Sequence, residues 1–125
     1  MDPETLFTLD EANALLPRLR PLLARLQEAQ RHLSDKGLLE RLRTAAAGNG
    51  GGTAARAVME TGDQFGRLTA EIEALGVVVR DPATGLVDFP AEREGEPVFL
   101  CWRMEEDAVG HWHDRDSGYM GRRPL

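Results

Sequence analysis

Leu75-Gly76-Val77-Val78-Val79-Arg80 decides the fold, because the hydrophobic period changes at Gly76. Before it, apolar residues recur every three or four positions, as a helix with one buried face requires; after it they follow the strand period of two. Gly76 stands where the residue after a helix adopts the left-handed conformation. The chain therefore reads as α+β: an N-terminal antiparallel helical hairpin over residues 1–76, then a four-stranded antiparallel β-meander and a tail over 77–125, together one domain.

Upstream of Gly76, Ala55, Val58, Gly62, Phe65, Leu68, Ile72 and Leu75 line one side of a helix that Thr53 caps, unbroken from about Ala54 to Leu75. Gly62 and Gly66 weaken it by about 1 kcal/mol each against alanine, a cost that close approach to the neighbouring helix would offset. The run Gly48-Asn49-Gly50-Gly51-Gly52 ends the preceding helix. It follows no strand and lacks the lysine of a phosphate loop, so it is a connection. The first helix opens at Thr8-Leu9-Asp10-Glu11, a capping box. Ala12, Leu15, Leu19, Leu22, Leu26, Ala29 and Leu33 form its stripe, widened by Leu16 and Leu23. Pro17 and Pro21 remove amide donors inside that pattern, so the helix is expected to kink or restart near Leu16–Pro17. Ser34-Asp35-Lys36-Gly37 interrupts it again before Leu38, Leu39 and Leu42.

Downstream, Val77–Arg80 meets Leu86–Phe89 across a loop with Pro82 and Gly85. A two-residue turn at Glu94-Gly95 sets Val87 opposite Trp102, Phe89 opposite Leu100 and Ala91 opposite Val98, three apolar pairs that fix the register. A fourth strand runs from Ala108 to His113.

Cys101 is the only cysteine, which excludes an internal disulfide and fits a reducing cytoplasm. No apolar run approaches the roughly 18 residues of a membrane span. The net charge of -6 argues against nucleic acid and anionic lipid as partners. Seven basic residues nevertheless crowd between Arg18 and Arg43, a pattern read first as a solvated helix face.

His111-Trp112-His113 with Cys101 is the cluster suited to metal chemistry, since imidazole and thiolate bind zinc and similar divalent ions. Its spacing matches no standard zinc motif. A three-residue turn at Glu105–Asp107 sets Cys101 opposite His111, with Asp88 beyond it on the same face and Trp112 on the apolar face. A four-residue turn at Glu105–Ala108 sends both histidines to the opposite face and excludes a cysteine-containing site. Cys101 lacks the anion stabiliser that a nucleophilic thiol needs. Glu105, Glu106 and Asp107 read as solvated charges at a hairpin tip. In the tail, Arg122 and Arg123 follow Gly118-Tyr119-Met120-Gly121, small residues that let the chain turn against the sheet. Arg122 then either pairs with a local acid or, with Trp102, Trp112 and Tyr119 as walls, receives an anionic small ligand.

The segments Phe7-Thr8-Leu9-Asp10-Glu11-Ala12-Asn13-Ala14-Leu15-Leu16-Pro17, Gly85-Leu86-Val87-Asp88-Phe89-Pro90-Ala91 and Leu100-Cys101-Trp102, with Trp112-His113 and Gly118-Tyr119-Met120-Gly121-Arg122-Arg123-Pro124, carry a resemblance. Across essentially the whole chain they resemble the bacterial domain of unknown function 2203 family, which implies domain limits and draws attention to the C-terminal third but implies no activity. The first functional expectation is an uncharacterised, non-catalytic interaction module that self-associates as a homodimer through its helices, because these are long for the sheet they cover. The second is a metal- or anionic-ligand-binding protein, an enzyme among its forms, with its site at Cys101, His111, His113 and Arg122.

Overall fold

The structure is a computed structural model that describes residues 4–35, 40, 43 and 52–125. Helix α1 spans Leu9–Leu33 and opens on the expected capping box. The Glu11 amide donates to Thr8 Oγ1 at 3.1 Å, and the Thr8 amide donates to Glu11 Oε1 at 2.9 Å. Both prolines lie inside α1, so the chain does not restart at Leu16–Pro17. Ser34 caps its C-terminus, where the sequence breaks the pattern. The resumed helix at Leu38, Leu39 and Leu42 and the glycine run before Gly52 lie outside the described residues.

Helix α2 spans Gly52–Ala74, so Thr53 falls inside its first turn rather than before it. It passes through Gly62 and Gly66 unbroken. Among the described residues no close neighbour uses these glycines: a Cβ on either would meet none of them within 4 Å. Their weak helix propensity is simply tolerated on an exposed face. Gly76 does act as a left-handed stop, with φ 93° and its amide donating to the Glu73 carbonyl at 2.9 Å.

Five antiparallel strands follow in spatial order β1 (Val78–Asp81), β2 (Leu86–Arg93), β3 (Glu96–Trp102), β4 (His111–Asp114) and β5 (Arg123–Pro124). The β2–β3 register is the expected one, Val87 to Trp102, Phe89 to Leu100 and Ala91 to Val98. Glu94 and Gly95 both have positive φ, 53° and 82°, the mirror-image turn whose twist suits a two-residue hairpin. Two features exceed the four-strand expectation. β4 begins at His111 instead of Ala108, and the tail adds β5, a two-residue strand too short to carry a period.

All six side chains of those three pairs are buried, in one core with Leu16, Leu19, Leu23 and Leu26 of α1 and Leu68 and Ile72 of α2. Leu19 and Leu26 are fully buried within the chain and Leu33 is half-buried. Leu19 and Leu26 thus find their partners in the core of the chain itself. Among the described residues no helix is long and apolar enough to cross a membrane.

The loop 103–110 is held from the helical side. Arg20 Nη1 donates to the Met104 carbonyl at 2.9 Å, and Nη2 to the carbonyls of Glu106 at 2.9 Å and Asp107 at 3.2 Å. The Val109 amide donates to Asn13 Oδ1 at 2.7 Å, and Trp102 Nε1 to the Glu106 carbonyl at 3.0 Å. Thus Arg20, read as part of a solvated basic face, instead holds three loop carbonyls at the edge of the core.

Candidate metal centre on the reverse face of the sheet

Strand alternation sends Val87, Phe89, Leu100 and Trp102 to the helices and, by parity, Asp88 and Cys101 to the other side. Asp88 and Cys101 are directly paired across β2 and β3. Cys101 pairs with His111 and Leu100 with Trp112 across β3 and β4, the register of the three-residue alternative. The tight turn itself does not form: pairing stops at Cys101 and His111, and Arg20 organises the residues between.

The reverse face would meet water on an uncovered sheet, yet Asp88 and His113 are each only 2% exposed and Cys101 is 0% exposed. The tail helps to cover it. Gly118 (φ 63°, ψ -166°) adopts a conformation essentially restricted to glycine, and a Cβ on Gly121 would come within 2.5 Å of the Ser117 Cβ. These two positions turn the short 3-10 segment Tyr119–Gly121 back over the sheet.

Among the described residues, one ligand atom from each of Asp88, Cys101 and His113 lies within 4.8 Å of the other two. His113 Nδ1 lies 2.7 Å from the Asp114 carbonyl oxygen, which can only accept. Nδ1 therefore carries a proton, and Nε2 faces Asp88 Oδ1, 3.0 Å away, an oxygen that likewise accepts, so a proton or a cation has to lie between the two. A backbone carbonyl that fixes the tautomer of a histidine is the usual outer support of a metal-binding imidazole. Arg80 Nε donates to Asp88 Oδ2 at 2.8 Å and holds the carboxylate in place, leaving Oδ1 on the side of Nε2. Burial, then the Asp88 carboxylate, pushes the Cys101 thiol up to about 12, against an opposing pull from Arg122. Cys101 is therefore a neutral thiol near neutrality, inert as a nucleophile unless a cation displaces its proton.

Of the residues singled out from the sequence, Cys101 and His113 come together and His111 does not join them. His111 turns to the loop, its Nδ1 3.4 Å from Glu106 Oε2. Asp88 takes the third position. The four residues considered as a ligand pocket are divided by the sheet. Trp102 is fully buried on the helix side, and Trp112 packs on that side between Arg93 and Arg123. Tyr119 and Arg122 are together on the reverse side, with the guanidinium carbon 5.0 Å from the ring centroid. Arg122 Nη2 donates to Glu106 Oε2 at 2.7 Å, so it follows the pairing alternative.

Glu106 escaped the sequence reading. Burial raises its carboxyl, but the Arg103 amide on Oε1 and the Arg122 guanidinium on Oε2 outweigh this and hold it below the usual range. Nothing in three consecutive acids marks the middle one; only the path that Arg20 imposes does so.

No curated protein and no solved structure matches the chain. A family model does match, over residues 5–125, and its description is "Uncharacterized conserved protein (DUF2203)". The Thr8 capping box, the Asp88–Cys101 pair and the Gly118–Arg122 tail all lie inside that span, and the chain belongs to the DUF2203 family.

Proposed function

We propose that the protein binds a divalent metal ion through Asp88 Oδ1, Cys101 Sγ and His113 Nε2, with zinc the first candidate. The observation that carries this reading is the buried grouping of one oxygen, one sulfur and one nitrogen donor, with the imidazole already oriented by the Asp114 carbonyl. The mixed donor set suits a borderline ion bound at about 2.0–2.3 Å. Three protein ligands leave one tetrahedral position for an exogenous molecule, the pattern of reactive rather than purely structural sites. A cytoplasmic setting, where Cys101 stays reduced, goes with this reading.

Metal analysis of untagged protein purified without chelator, with cobalt(II) titration, tests it. Stoichiometric metal and a sulfur-to-cobalt charge-transfer band, lost in Cys101→Ser and His113→Ala, are expected. Absence of both metal and band overturns the proposal.

A second reading is self-association through α2 rather than α1. Ala55 and Gly62 of its stripe are exposed, Val58 and Phe65 half-buried, and Met59 is 69% exposed. A two-fold dimer would cover that strip. Light scattering that returns the monomer mass at micromolar concentration overturns it.

A further inference from the structure

Beside the proposed metal ligands lies a cleft of about 290 Å³ whose lining includes Arg80, Asp88, His113, Arg115, Asp116 and Tyr119. Two arginines converge on it from opposite ends of the sheet. Arg80 is the extra residue of a bulge, since Val79 pairs with Val87 while Asp81 pairs with Leu86. Bulges re-aim side chains and recur beside functional sites. Arg115 follows β4. Both guanidinium groups lie on the Phe99 ring, their carbons 4.9 Å and 4.2 Å from its centroid. Phe99 thus packs against both guanidinium groups and restrains two otherwise flexible side chains that line the cleft.

Their donors are only partly used. Arg80 gives Nε to Asp88, and both of its Nη groups have no partner among the described residues. Arg115 gives Nε to the Val98 carbonyl at 3.1 Å and Nη2 to Glu4 Oε1 at 2.7 Å, leaving Nη1. Two acids share the cleft: Asp88, whose Oδ2 takes the Arg80 Nε and whose Oδ1 faces His113, and Asp116, for which no ion pair with either arginine forms among the described residues.

We infer that this cleft binds a small oxyanion, the phosphate or carboxylate group of a metabolite, between Arg80 and Arg115. Planar guanidinium forks suit such groups better than other side chains do. The inference rests on the metal reading in one respect: Asp88 and His113 line the cleft, so an ion on them offers its remaining position to the same anion. Recognition by the arginines does not need the ion. Arg80 then has two roles, donor to the anion and positioning residue for the Asp88 ligand.

The test is calorimetric titration of cobalt-loaded and metal-free full-length protein with inorganic phosphate and, separately, acetate, with the cobalt spectrum recorded in parallel. The two titrants distinguish a phosphate-bearing from a carboxylate-bearing ligand. Saturable binding of at least one is expected, weakened roughly tenfold or more by Arg115→Gln and by Arg80→Lys, which keeps charge but loses the fork. Arg18→Gln, exposed on α1, should leave it unchanged, and thermal unfolding checks that each variant is folded. No binding of either anion, or equal weakening by all three substitutions, overturns the inference. Anion binding that depends on Arg80 and Arg115 in protein that takes up no cobalt removes the metal reading and leaves this one standing. Cobalt uptake without anion binding does the reverse.

Discussion

Arg20 of α1 lies over the Trp102 ring, its guanidinium carbon 5.0 Å from the ring centroid, while its two amino groups hold three carbonyls of the loop 103–107. One side chain thus joins the first helix, the end of β3 and the loop that carries Glu106. Arg20→Met keeps much of the apolar stem and removes the donors. It should lower unfolding free energy by about 2 kcal/mol, the scale for charge-assisted hydrogen bonds in a half-buried setting. Arg20→Lys should recover only part of the loss, since one ammonium cannot span the same carbonyls. Urea denaturation measures both, and an unchanged midpoint would show that other contacts hold the loop.

The glycines of α2 and its cap should respond in opposite directions. Gly62 and Gly66 are exposed and a Cβ on either meets none of the described residues within 4 Å, so alanine there adds helix propensity without a clash among them. Each substitution should raise stability by about 0.5–1 kcal/mol. At Gly76 the same change should cost at least about 1 kcal/mol, because φ is 93° and the new Cβ would lie 2.9 Å from that of Thr5. Thermal melts of the three variants give the signs directly, and a stabilised Gly76→Ala would contradict the left-handed cap.

Glu94 occupies a left-handed position, φ 53°, that asparagine tolerates better than glutamate does. Glu94→Asn should therefore stabilise the protein by roughly 0.5–1 kcal/mol, with the β2–β3 register unchanged. Amide exchange along β3 would report the effect as added protection at Val98 and Leu100, and unaltered exchange would place the hairpin's limit elsewhere.

The contrast between these elements shows what sequence can carry. The register of β2 and β3 was legible because three apolar pairs and a two-residue turn agree, and a slip by one would reverse every side chain. Parity then placed Asp88 behind Trp102 on the same face as Cys101. Two histidines on one face could not be separated in that way. His113 joins Cys101, whereas His111 lies beside Glu106, its Nδ1 3.4 Å from Oε2, and Glu106 is aimed by a loop that Arg20 holds from 86 residues away in sequence. Such long-range polar contacts leave no period in the chain. The interrupted bulge at Arg80 and the two-residue β5 are illegible for the related reason that each is shorter than any repeat.

Glu106 should give the fold an acid-sensitive component. Its carboxyl is held below the ordinary value of 4.5, so the folded protein binds its proton less readily than the unfolded chain does. The resulting stabilisation is fully present above the unfolded value and is lost as pH falls through the lower, folded value. Glu106→Gln should be less stable than the parent at pH 7, and the difference should shrink on acidification below about pH 4.5. Parallel unfolding curves across this range, with a constant difference, would show that the ion pair with Arg122 contributes nothing through ionisation.

Zinc binding at Asp88, Cys101 and His113 requires the thiolate, whereas burial and the neighbouring carboxylate keep Cys101 protonated up to about 12. Uptake near neutrality must therefore expel the thiol proton, and affinity should climb with pH over the whole accessible range. Calorimetry in two buffers of different ionisation enthalpy counts the protons released. The parent protein should release one more than Cys101→Ala, which keeps only the oxygen and nitrogen ligands. The variant should also bind zinc at least roughly tenfold more weakly, given that a thiolate supplies one of three protein bonds. Chelation of the loaded parent should lower its melting temperature, since an ion held by the folded state alone stabilises by mass action. An equal proton count in parent and variant would mean that sulfur is not a ligand, and would leave Asp88 and His113 as a buried carboxylate–imidazole pair beside the arginine cleft.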